Sequence, residues 1–145
     1  MNPANPREKG KGQLSLEFML LLAAFLSFLF LLLPAIEEVL RMGSYGVDAK
    51  AAELFLNRAR QSSERLLAFE EGSTEEIEAF ALHEWRLSAG GGEFDVEIGD
   101  GEYRKKLGLK ASPQLAIPPF TFTGKFALRL TKEGGFVSGS IVEGN

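Results

Sequence analysis

Glu93, Asp95 and Glu97 alternate with Phe94, Val96 and Ile98, a spacing that puts three carboxylates on one face of a strand. Three carboxylates in a row are a possible cation site, but no nearby histidine or ligand-bearing loop joins them, so a solvated strand face over an apolar one is the better reading. His83 stands beside Glu84, a base next to an acid. Nucleophilic or metal chemistry would need a partner hydroxyl, thiol or second histidine, and the neighbouring sequence offers none, so His83 is read as structural. Gly90, Gly91 and Gly92 lack the flanking Lys, Ser or Thr of a phosphate-cradling loop. The chain has no cysteine, which removes disulfides and thiolate metal ligands. No catalytic, metal or cofactor site is expected.

The remaining chemistry-bearing cluster is Gln13, Ser15, Glu17 and Leu21, which opens a long apolar run. From 18 to 36 no residue carries a charge, and Ser27 and Pro34 are the interruptions among Leu, Phe, Ala, Met and Ile. A bilayer core about 30 Å thick takes roughly 20 such residues as a helix, so this segment is predicted to span a membrane. Arg7, Lys9 and Lys11 precede it, and Glu37 and Glu38 follow. The bias of basic residues toward the cytoplasm puts the N-terminus inside and everything after Ile36 outside. An ordinary cleaved secretory signal fits poorly. Its apolar core would be shorter, and Leu33-Pro34-Ala35-Ile36 is a weak match to a small-x-small cleavage site. An acid at the mouth of such a helix is costly in lipid, although at the interface it favours the positive end of the helix dipole.

The order basic leader, Gly12, Gln13-x-Ser15-x-Glu17-x-x-x-Leu21, apolar helix resembles the class III signal peptide of archaeal type IV pilin-like proteins. The resemblance covers about a sixth of the chain, from Lys11 to about Leu33. It implies cleavage between Gly12 and Gln13 by a membrane prepilin peptidase, which leaves the apolar helix in the mature protein. It also implies assembly into a surface filament with copies of itself or other pilins, driven by an assembly ATPase and a membrane platform protein, with lipid as the surroundings before assembly. The matching acid, here Glu17, would meet the new amine at Gln13 of a neighbouring subunit and set axial register, since a slip would leave two charges unpaired. The competing reading is a bitopic anchor or accessory protein that keeps its leader and does not polymerise.

Beyond the apolar run, Ile36, Leu40, Val47, Ala51, Leu54, Phe55, Ala59, Leu66 and Phe69 recur at helical spacing, so the helix is predicted to continue to about Glu70 along one stripe. Gly43 and Gly46 are predicted to bend or unwind it. Ser73 and Glu76 resemble a capping box, with Ile77, Phe80, Ala81 and Trp85 behind them, which predicts a short helix over 74–87. From Glu93 the period becomes two, and Asp100-Gly101 signals a hairpin. Strands are predicted over 93–98, 103–110, 120–131 and 136–142, with Pro113, Pro118 and Pro119 marking a linker or irregular edge. The predicted organisation is a leader (1–12), a long helix (13–71) and an extracytoplasmic head (72–145). The fold class is α+β, with about four antiparallel strands and one short helix in the head. The net charge is -4, and the acidic balance of the chain after the leader argues against a nucleic-acid surface.

Overall fold

The computed structural model describes residues 6–99 and 104–143, and the side chains of 15–99 and 104–142. One helix, α1 (Pro6–Ala68), precedes five strands: β1 (Thr74–Gly90), β2 (Glu93–Ile98), β3 (Lys105–Lys110), β4 (Leu115–Glu133) and β5 (Phe136–Glu143). The chain divides into two compact units, Met1–Arg41 and Met42–Asn145, and α1 contributes to both.

In the first unit the described part of α1 runs from Pro6. Its large apolar residues from Leu16 to Ile36 face outward. Ser27 returns its hydroxyl to the Ala23 carbonyl at 2.8 Å, which satisfies the one polar side chain of the run. Pro34 lies within α1. Among the described residues one helix is long and apolar enough to cross a membrane, and it is compatible with a single crossing.

In the second unit α1 lies against an antiparallel sheet of order β3-β2-β1-β4-β5. The helix stays regular through Gly43 and Gly46. The single apolar stripe read from sequence splits in two, because ~100° per residue separates its members. Ala52, Phe55, Leu56, Ala59 and Leu66 are buried on the sheet, whereas Val47 and Leu54 are exposed. Phe55 sits at the centre, its ring 5.5 Å from Phe126 and 6.1 Å from Trp85 in edge-on contacts that suit aromatic quadrupoles.

The head differs from expectation over 74–90, which is strand and not helix. Ile77, Ala81 and Trp85 are buried at four-residue steps, a spacing that helix and strand both accommodate. Phe80 made the helical pattern, and it lies exposed on the outer face. Pairing with β4 from Thr74↔Thr131 to Ala89↔Ile117 decides the conformation, and the head has five strands and no short helix of its own among the described residues. The alternation over Glu93–Ile98 holds, with Phe94, Val96 and Ile98 buried. The Asp100-Gly101 turn lies outside the described residues. Gly91 and Gly92, with φ of 64° and 89°, close β1 onto β2 as a two-residue hairpin, which requires two positive φ angles in succession.

Pro118 and Pro119 fall inside β4 rather than in a linker, where the register with β1 shifts between Leu87 and Ala89. Proline gives no ladder N–H, so an irregularity is where a strand tolerates it. Leu115 and Lys132 of β4 both register with Val137 of β5. A straight strand would hold these two residues about 56 Å apart at ~3.3 Å per residue, so β4 must fold back on itself. Gly124, with φ of 85°, lies between them. The closure brings Ile117 over Gly139, where an added β carbon would sit 2.7 Å from Ile117 Cγ1 and 3.2 Å from Leu128 Cδ1. Replacing Gly139 by Val should therefore cost about 1–3 kcal/mol by overpacking. Urea unfolding should show a lower midpoint at unchanged slope, with part of the loss recovered by adding Ile117→Ala.

Candidate assembly segment

The residues singled out by sequence fall in α1. Gly12 and Gln13 are in its helical backbone, and Ser15, Glu17 and Leu21 are exposed. Four residues of helix separate Glu17 from Leu21, so they share a face, and Ser15 lies about half a turn from Glu17. Leu16, Phe18, Met19 and Leu20 surround this acid in sequence, and each of them is exposed too. The carboxylate of Glu17 is thus carried on an outward-facing apolar rod. In hydrocarbon such a group must snorkel, neutralise or meet a cation.

In the second unit a polar cluster gathers where α1 meets β1. Asp48 is 1% exposed and faces a register shift in β1 between Ala81 and Trp85. Its Oδ1 accepts the Leu82 N–H at 2.9 Å, and its Oδ2 accepts the His83 N–H at 2.8 Å. His83 Nδ1 lies 3.0 Å from the same Oδ2, Nε2 lies 3.4 Å from Ser44 Oγ, and the ring stacks on Tyr45 at 3.9 Å. An ionised Asp48 accepts only, which makes Nδ1 the donor, and the other ring nitrogen faces the Ser44 hydroxyl. The order Ser44, His83, Asp48 is that of a nucleophile relay, but its acid also satisfies two ladder N–H groups orphaned by the bulge. Its work is to tie helix to sheet.

Sequence reasoning placed His83 as structural and missed Asp48. The available signal was an acid whose helical angle falls among Ala52, Phe55 and Ala59, on the face that packs.

Of the three strand-face carboxylates, Asp95 and Glu97 are drawn into ion pairs across the sheet: Asp95 with Lys106 at 2.9 Å, and Glu97 with Arg104 at 3.5 Å and Arg86 at 3.8 Å. The hydrogen bond to Asp95, then its charge, raises the pKa of the Lys106 ammonium. Gly108 permits the approach, since a β carbon there would lie 2.6 Å from Asp95 Oδ1. Among the described residues no group of three or more His, Asp or Glu is disposed to hold a metal ion.

No known protein family, curated protein or solved structure matches the chain.

Asp48→Asn should turn an amide N–H₂ toward a backbone N–H and weaken the remaining bonds. The expected loss is about 1.5–3 kcal/mol of head stability, measured as a lower urea midpoint in the detergent-solubilised chain.

Proposed function

We propose that the chain is a structural subunit, major or minor, of an archaeal type IV pilus-like surface filament. The observation that carries this reading is an outward-facing, charge-free helical run over 18–36 that follows Gln13, Ser15 and Glu17. The downstream part of α1 contrasts with it by packing on a sheet of its own. Before assembly the apolar segment would cross the membrane with its basic leader inside and its head outside. Prepilin peptidase would cut between Gly12 and Gln13, removing Arg7, Lys9 and Lys11 and exposing a cationic amine four residues before Glu17. The backbone at 12–13 is helical, so cleavage requires local unwinding there, and Gly12 eases it because glycine is a poor helix former.

In lipid the rods would associate by dispersion packing, since the acyl chains are as apolar as leucine. Extraction then makes burial among neighbours obligatory, because each exposed methylene costs about 0.8 kcal/mol in water. An assembly ATPase and a platform protein would supply the extraction work. Glu17 of one subunit would pair with the Gln13 amine of the next and penalise every other stagger.

Mass spectrometry of the native protein should give a chain beginning at Gln13. A chain still beginning at Met1 and monomeric in the membrane would instead make it a bitopic anchor. Glu17→Val should still give a chain beginning at Gln13 and cut filament yield at least about tenfold, the loss that follows when one member of a desolvated pair is removed. Wild-type filament counts from Glu17→Val would refute the register role.

A further inference from the structure

At one end of the head, the turn out of α1 is bound to the turn between β4 and β5. Lys132 Nζ donates to the Leu67 and Phe69 carbonyls at 2.9 and 2.6 Å, so its charge faces the negative end of the helix. Glu71 accepts from the Gly134 and Gly135 N–H groups at 2.8 and 3.2 Å, and Gly72 N–H bonds the Lys132 carbonyl at 2.9 Å. This fixed corner leaves two aromatic rings in water, Phe69 at 57% and Phe136 at 58% exposure. Glu70 and Glu133 rim them, both exposed, and neither forms an ion pair with the described residues.

The opposite end of the sheet has the complementary character. β3 is an edge strand, hydrogen-bonded to β2 alone among the described strands, so one row of its N–H and C=O groups is open. Lys105 and Lys110 are exposed at its two ends, without ion pairs among the described residues, and Leu107 and Leu109 between them are half-buried. Lysines on an edge keep ordinary strands from adding to it, and the exception they admit is an acidic partner.

We propose that the head carries a head-to-tail contact with a second copy of the chain, in which the corner of Phe69, Glu70, Glu133 and Phe136 seats on the β3 edge at Lys105 and Lys110. Charge complementarity selects the occupant, and the two rings are the kind of anchor that dominates interface energy. The two patches lie at different ends of β1: the corner precedes Thr74, and β3 is reached through β2, which pairs with β1 from Trp85 onward. A contact between unlike patches leaves each copy with one patch of each kind to offer, so it repeats from copy to copy and extends as an open assembly wherever its rotation does not close a ring. The inference rests on the filament reading for its setting, but the contact can be tested without filaments.

The chain has no cysteine, so each introduced thiol is unique. The full-length Lys110→Cys/Glu133→Cys variant, in membranes or detergent, is treated with a short bismaleimide and run on a denaturing gel. A ladder of covalent multimers is expected, with neither single variant extending beyond the monomer. No ladder from the double variant, or dimers from a single variant, overturns the proposal. Charge exchange adds a second arm. Lys105→Glu and Glu70→Lys, each built into the thiol pair's background, should each weaken the ladder about tenfold, and their combination should restore it. Failure of the combination to restore it also counts against the contact. Electron microscopy of the same cells separates the two readings. A ladder without filaments sinks the filament account and keeps the contact, whereas filaments without a ladder do the reverse.

Discussion

Asp48 is the point on which the head depends. A strand that must both pair with β4 and turn over a helix needs a bulge, and a bulge strips N–H groups of their ladder partners. Here the Leu82 and His83 amides are taken up by one carboxylate reaching from α1. Burying an acid is costly, and the cost is offset because both oxygens accept hydrogen bonds, one of them also from the imidazole. The same bond fixes where on the helix the sheet sits. Phe55 lies among Trp85, Phe94 and Phe126, and Ala52, Leu56 and Ala59 belong to the same core.

The two compact units answer to different solvents. In the first, apolar side chains face outward on all sides, an arrangement favourable in hydrocarbon and costly in water. In the second, apolar side chains are gathered between one helix and one sheet, as in a water-soluble domain. A single helix serves both because its residue pattern changes along its length, from uniformly apolar to one-sided. The head folds on its own core, and the apolar rod keeps its surface outward.

The head's closure has a similar economy. β4 is long enough to pair with β1 along two stretches, and Gly124, Pro118 and Pro119 are where it departs from regularity. Its fold-back lets β5 meet both ends of one strand, with Gly139 leaving the space that Ile117 fills. The closing corner is held by two turn-to-turn clamps of opposite sign, Lys132 on the helix end and Glu71 on the glycine turn.

Much of this was legible in the residues themselves. A charge-free run of about 20 residues has one physical solution, a helix that satisfies its own backbone, and the alternation from Glu93 to Ile98 has another, a strand with one buried face. What the residues left undecided was decided by long-range pairing. Ile77, Ala81 and Trp85 fit helix and strand equally, and the choice fell to β4, whose residues lie some 40 positions away in the chain. The broad apolar arc of α1 does not say which half is covered, and the sheet covers the half that carries Asp48. The helical angle of Asp48 puts it on the packed face, but the groups it accepts from exist only once the bulge has formed. Local composition sets each segment's solvent, whereas the meeting of bulge and carboxylate is a property of the folded chain.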